Sequence, residues 1–200
     1  FGSPEKEDFQ DNGHEDFIKN SEIPNILEKY GLNYERVVGH TDILLLDREI
    51  PELCVDRVDY ALRELKTDGY GVGKYVNSLI NHNGVVAFRD VKIAEDFARE
   101  FLRMNNDHWA GPKSRMRYSI LSNVSVMAHE IGNISMKDFY NTDQVVIDKM
   151  LSSKNKFIVD GLDLLRRDFG VEVVHNNEGE LLPKKFRYSD PLVVDDDFLG

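Results

Sequence analysis

The sequence predicts a mainly α fold, α+β in class, with one β-hairpin and a small C-terminal α/β lobe. Three observations lead there. Val55, Val58, Leu62 and Leu65 recur at helical spacing after Pro51, and Ala94, Phe97, Ala98, Phe101 and Leu102 do the same further on. Asn81-His82-Asn83-Gly84 separates two short apolar runs, Tyr75 to Ile80 and Val85 to Arg89, and Asn-Gly is a strong hairpin signal. Strands and helices do not alternate regularly, which argues against an all-parallel sheet.

Taken in order, Phe1 to Gly13 is polar and reads as a loop. A helix follows from Glu15 to about Tyr30, with Phe17, Ile18, Ile23, Ile26 and Leu27 inward; Pro24 divides it and Gly31 stops it. The strongest helix starts near Pro51 and places Asp56, Tyr60, Arg63 and Glu64 opposite its apolar stripe. Gly69, Gly71 and Gly73 break that pattern, and Gly71 to Lys74 reads as a loop into the hairpin. A second helix spans Ile93 to about Asn105.

Gly111-Pro112 opens a third helix, which runs to Ile131 and is stopped by Gly132; its core face is Met116, Ile120, Leu121, Val124 and Met127. Ser135 to Tyr140 and Asp143 to Ser152 read as short helices, capped by Asn141 or Thr142, and Asp160 to Asp168 as another. Val171 to Val174 and Lys185 to Tyr188 read as strands around a turn at Asn176, Asn177 and Gly179. Asp195 to Asp197 is an acidic end.

Composition narrows the function classes. The 200 residues are 41% hydrophobic and 30% charged, as expected of a globular domain able to bury a core. A net charge of −11 argues against non-specific nucleic-acid binding, though a few local cations can still hold a small anion. No uninterrupted apolar run exceeds the four residues of Ile43 to Leu46, far too short for a membrane span. No signal-peptide pattern opens the sequence. The single cysteine, Cys54, excludes an internal disulfide framework, reads as a buried small hydrophobe, and fits a reducing cytoplasm. The first residue is Phe1, so a processed or partial chain is expected.

Several catalytic motifs are absent. Gly71-Val72-Gly73-Lys74 lacks the phosphate-loop spacing, His129-Glu130 lacks a second His four residues after the first, and no nucleophile elbow occurs. The stretch Cys54 to Glu64 is different. Asp56, Tyr60 and Glu64 fall at i, i+4 and i+8, so a helix lines them along one side, with Arg57 and Arg63 flanking. A carboxylate can ligate a divalent ion, Arg can clamp a phosphate, and Tyr can pack on a sugar. The same spacing also serves a solvated face with ordinary i,i+4 pairs, and spacing alone leaves both readings open.

Pro-Glu-Leu-Cys-Val followed by Asp-Arg-Val-Asp-Tyr-Ala-Leu-Arg-Glu closely resembles the last motif of the HD-domain metal-dependent phosphohydrolases, in the branch that includes the dNTP triphosphohydrolases. The resemblance implies Asp56 as the final metal ligand of a His, His-Asp, Asp set, Arg57 as a phosphate contact and Tyr60 as a nucleotide contact. Glu64 stands where the family usually has Asp, a conservative departure at a substrate contact. His14-Glu15 is similar to a family segment whose His acts as general acid near the leaving phosphate, so His14 is the catalytic candidate; a polar residue at a helix start is the alternative. Phe97 to Pro112 and Lys185 to Leu192, with Tyr188 and Asp190-Pro191, resemble further family segments.

The family's first His and its His-Asp pair are missing, and His40-Thr41-Asp42 has the wrong order and spacing to replace them. The resemblance therefore implies residues 1–69 as the C-terminal part of an HD-type helical core, 70–170 as the hairpin and a helical lobe continuing it, and 171–200 as a small truncated strand-containing region. It implies a divalent metal (Mn, Mg, Fe or Zn) bound only when the upstream ligands are present, and a fragment inactive by itself. It also implies a nucleotide or other phosphate-ester substrate, and a homo-oligomer. Lys113, Arg115 and Arg117 form a basic stripe that fits phosphate contact or a solvated face. An inactive nucleotide-binding, regulatory or oligomerisation module of the same fold is the competing expectation.

Overall fold

The computed structural model describes residues 9–38, 44–174, 179, 182 and 186–194. They follow the order α1 (Phe9–Lys19), α2 (Ile23–Lys29), α3 (Glu35–Val38), α4 (Val55–Thr67), α5 (Gly73–Ser78), β1 (Leu79–His82), β2 (Val85–Phe88), α6 (Val91–Met104), a π-helical turn (Asn105–Trp109), α7 (Pro112–Glu130), a 3-10 turn (Met136–Tyr140), α8 (Asp143–Ser152), α9 (Lys156–Arg166) and β3 (Leu192–Val193). The fold is mainly α with a small sheet, as the periodicity predicts. No helix among the described residues is long and apolar enough to cross a membrane. The chain divides into two compact units, Phe1–Asn105 with Lys185–Gly200, and Asn106–Lys184.

The first unit is organised by α6. Asp90 caps it by accepting from the Lys92 and Ile93 amides at 2.8 and 3.2 Å. Ala94, Phe97, Phe101 and Met104 then fall on one face and are buried. Phe97 is fully buried, with Tyr75, Phe88 and Phe101 at ring-centroid distances of 5.5, 5.4 and 6.2 Å. Each such ring contributes roughly 1.5–3 kcal/mol by leaving water. The half-exposed Arg103 pairs with Glu100 at 2.7 Å and Asp68 at 3.1 Å, but screened pairs of this kind contribute about 1 kcal/mol or less. Apolar burial therefore docks α6, and the ion pairs trim its edge.

The sheet has the order β1-β2-β3. β1 and β2 pair antiparallel from Leu79 with Phe88 to His82 with Val85, and Asn83 and Gly84 take φ of 52° and 82° in the turn, as the Asn-Gly signal predicts. β3 adds in parallel, Ala87 opposite Leu192 and Phe88 opposite Val193.

In the second unit α7 runs the full predicted span, ended by Gly132 at φ 71°. A Cβ at Gly111 would stand 2.5 Å from the Asp107 carbonyl oxygen, so the chain needs glycine there to enter the helix. α9 packs along α7, and Val124, Ala128, Ile134, Val146, Met150, Ile158 and Leu162 form the core. Asp138 joins this unit's short elements. It accepts from the Ser135 amide at 2.6 Å and hydroxyl at 2.8 Å, and from Lys149 at 2.8 Å.

The structure departs from the sequence reading at several places. Residues 9–13 are helical rather than loop, and Gly73 to Ser78 is helix α5 rather than the start of a strand. That turn brings Tyr75 Oη (2.7 Å) and Lys74 Nζ (2.5 Å) onto Asp96 of α6, a long-range gain that local alternation does not encode. On α4 the buried stripe is Val58, Ala61 and Leu65, while Val55 in the first turn is exposed. α9 starts at Lys156 because Asn155 caps it, accepting from the Phe157 and Ile158 amides. On α7 the buried residues are Val124, Ser125 and Ala128, and Leu121 is 41% exposed. Val171 to Val174 and Phe186 to Tyr188 carry no strand; a strand needs a partner, and among the described residues after α9 it is Leu192–Val193, as β3, that meets β2. His40 to Asp42, His175 to Asn177 and Lys185 lie outside the described residues.

Gly161 faces α7 so closely that a Cβ would stand 2.4 Å from Val124 Cγ1, so Gly161→Ala should destabilise the protein by about 1–3 kcal/mol in urea unfolding. Lys149 and the Ser135 donors hold the Asp138 carboxyl down at about 2 against an ordinary 3.8. Its contribution is thus complete above pH 4 and fades as pH falls toward 2. The stability gap between the wild type and Asp138→Asn should close across that window when unfolding midpoints are measured against pH.

Candidate functional site

α4 begins without a side-chain cap. Cys54 takes the N-cap position in extended backbone and is fully buried, so its side chain serves packing. The first amides of the helix are met instead by carbonyls of the preceding turn: Val55 donates to Leu45 at 2.8 Å and Asp56 to Leu46 at 3.3 Å. That leaves Asp56 exposed in the first turn, where the helix dipole favours a carboxylate.

Arg57 turns back along the chain. Its guanidinium donates to the backbone carbonyls of Glu52 and Arg48, the latter at 2.9 Å. Arg48 in turn pairs with Glu52 at 2.6 Å. The planar fork of arginine suits two carbonyls nine and five residues upstream, and it fastens the 48–52 segment to the start of α4. The Arg57 charge also acts on the Tyr60 hydroxyl.

Tyr60 is half-buried, its ring 6.0 Å from Phe101. Burial pushes its hydroxyl above the ordinary tyrosine range, while the Arg57 charge and hydrogen bond, and then the Arg187 charge, pull it down; Asp56 pushes it up. Arg187 comes from the far end of the chain. Its amide donates to Asn105 Oδ1 at 3.1 Å, Asn105 is fully buried, and the Asp190 amide donates to the Pro51 carbonyl at 3.0 Å.

The structure thus brings Asp56, Arg57 and Tyr60 together at the first turns of α4, with Arg187 in electrostatic range. Glu64 continues the same stripe half-buried, but eight residues of helix place it about 12 Å along the axis from Asp56. The two carboxylates are too far apart to share one ion. His14 sits half-buried on α1, which packs chiefly on α2 and α3. In the second unit, Lys113 pairs with Asp168, Arg115 donates to the Leu182 carbonyl at 3.2 Å, and Arg117 lies over the Phe169 ring. That basic stripe holds the segment after α9. Arg187 has no place in the sequence reading of the site. Its only local signal is a cation between Phe186 and Tyr188, which says nothing of Tyr60.

Among the described residues no group of three His, Cys, Asp or Glu side chains stands together to hold a metal ion. Asp56 brings one carboxylate where a divalent ion takes several ligands. The described residues do not form a metal site by themselves.

Comparison with known proteins gives several distant likenesses, among them the following. The chain is 29% identical over 200 residues to the uncharacterized protein YdhJ of Bacillus subtilis (strain 168), covering 96% of this chain and 60% of that protein. It is 26% identical over 131 residues to the metal-dependent phosphohydrolase cns2 of Cordyceps militaris, 60% of this chain and 38% of that one. It is 28% identical over 170 residues to a pyruvate kinase of Staphylococcus aureus, 80% of this chain and 28% of that one. The chain therefore spans less than two thirds of the length of each. No family model matches the chain, and no solved structure does. The likeness to a metal-dependent phosphohydrolase is distant and partial, and it agrees in kind with the motif at Asp56.

Arg57→Lys keeps the charge but removes the fork that grips two carbonyls. It should lower stability by about 1 kcal/mol, read as an earlier urea midpoint.

Proposed function

We propose that this chain is part of a metal-dependent phosphohydrolase acting on nucleotides, with the first turns of α4 as its substrate-facing edge. The observation that carries the reading is the clustering of Asp56, Arg57 and Tyr60, a carboxylate, a guanidinium and a phenol within the first turns of one helix. The distant likeness to the Cordyceps phosphohydrolase supports the reaction class. The triphosphohydrolase branch and its nucleotide substrates rest on the motif resemblance.

Each residue has a distinct task in this reading. Asp56 contributes one carboxylate to a divalent ion whose remaining ligands are not among the described residues. Tyr60, braced on Phe101, offers a fixed phenol against which a sugar can be oriented, and correct orientation is a large part of rate. Arg57 fixes the entry loop, and its positive charge, which acts on the Tyr60 hydroxyl, would stand beside the phosphate. His14 is the candidate general acid, the side chain that would protonate a leaving oxygen. Glu64, two turns on, is a candidate contact for the far end of the nucleotide.

A second reading has its own support. The Arg57 guanidinium is already engaged by two backbone carbonyls, which suits a module that binds a nucleotide without turning it over.

The test uses the full-length protein and manganese-dependent release of phosphate or triphosphate from NTPs and dNTPs. Turnover that falls at least about a thousandfold in Asp56→Asn, with an unchanged thermal melt, is the expected result. Nucleotide binding without turnover in the wild type favours the binding module, and turnover that survives in Asp56→Asn excludes α4 as the reacting edge.

A further inference from the structure

The turn between β1 and β2 carries a chemistry of its own. In Asn83-Gly84 the backbone nitrogen of Gly84 can close onto Asn83 Cγ, because glycine puts no side chain in the way. Asparagine is thermolabile for this reason. The N–Cγ bond forms as the Cγ–Nδ2 bond breaks. The Gly84 amide proton goes to the departing nitrogen, which leaves as ammonia. Water then opens the succinimide ring at either carbonyl, giving aspartate or isoaspartate, and isoaspartate adds one carbon to the main chain. Both residues are exposed, so water reaches them.

The fold meets this hazard at the attacking atom. The Gly84 amide donates to Asn81 Oδ1 at 2.8 Å. To attack, that nitrogen must give up the hydrogen it donates, and its electron pair would then face the Asn81 oxygen, an acceptor. The turn is also held in shape. Asn83 and Gly84 take φ of 52° and 82°, His82 pairs with Val85 across them, and Asn83 Nδ2 lies 3.3 Å from His82 Nε2. Ring closure requires rotation about the Asn83 Cα–C bond until Cγ stands over the Gly84 nitrogen, and a closed hairpin turn opposes that rotation.

We propose that Asn83-Gly84 is a latent deamidation site and that Asn81 is its guard, the side-chain carbonyl that keeps the Gly84 nitrogen from closing onto Asn83 while the hairpin is folded. What it protects is the register of β1 on β2. β2 carries the fully buried Ala87 and Phe88, and Phe88 packs on Phe97. An extra main-chain carbon in a two-residue turn would disturb that pairing. The proposal stands apart from the reading of α4.

The experiment ages the full-length protein at neutral pH and follows the tryptic peptide Tyr75–Arg89 by mass spectrometry, with fragment ions that separate Asn83 from Asn77 and Asn81. The folded wild type should deamidate at Asn83 at least about tenfold more slowly than the same protein held unfolded in urea. Asn81→Ala should speed the folded reaction about threefold to tenfold, the reach of one hydrogen bond, with an unchanged thermal melt. Asn81→Asp keeps an acceptor for the Gly84 amide and should stay as slow as the wild type. An Asn81→Ala rate equal to that of the wild type overturns the proposal, and so does a folded wild type that reacts as fast as the unfolded chain. If Asn81→Ala does not fold, Asn81→Asp decides: retained protection supports the guard, and lost protection at an unchanged melt overturns it.

Discussion

The burial of Phe97 is the contact on which the first unit is built. Its ring meets Tyr75 of α5, Phe88 of β2 and Phe101 on its own helix, and Phe101 in turn carries Tyr60 of α4. Helices α4, α5 and α6 and strand β2 thus converge on one side chain and its neighbour. The polar contacts nearby depend on this placement. Asp96 can accept from both Tyr75 and Lys74 because α5 is already laid against α6, and burial together with that carboxylate raises the Tyr75 hydroxyl well above its ordinary range. Tyr60 can face Arg57 with a fixed ring because Phe101 is beneath it.

The site is a second layer resting on that core. Arg57 closes the entry loop over the first turn of α4, and the C-terminal segment is stitched to the same loop through Pro51. The polar edge of α4 is therefore assembled from both ends of the unit, around a helix whose own first amides are satisfied by backbone alone. Exposed pairs such as Asp59 with Arg63 decorate the helix without shaping it.

How much of this is legible in the sequence depends on the range of the interaction concerned. α7 is readable almost to the residue because Pro112 and Gly132 are local signals, and the hairpin is readable because Asn83-Gly84 suits the positive φ its turn requires. The helix of the Asp56 motif is readable from its spacing, and so is the shared stripe of Asp56, Tyr60 and Glu64. α5 is not, since so short a segment carries too little periodicity and its reward lies on Asp96, far along the chain. β3 is two residues long and exists only because β2 is beside it. Arg57 reads as a phosphate contact from its motif, whereas the structure commits its fork to two carbonyls. Arg187 is silent in sequence for the reason that β3 is.

The parallel pairing of β3 with β2 also sets a timetable. Everything from Asn106 to Lys184 is made between the two halves of the first unit. At about 5–20 residues per second, the ribosome needs roughly 5–20 s after finishing α6 to deliver Leu192 to its place beside Ala87. During that interval the outer edge of β2 lacks its eventual neighbour while the inserted unit is being made. The segment that closes the earlier-encoded unit is thus made after the whole of the later-encoded one, and the open strand edge is the place where a chaperone or a neighbouring chain could engage it first.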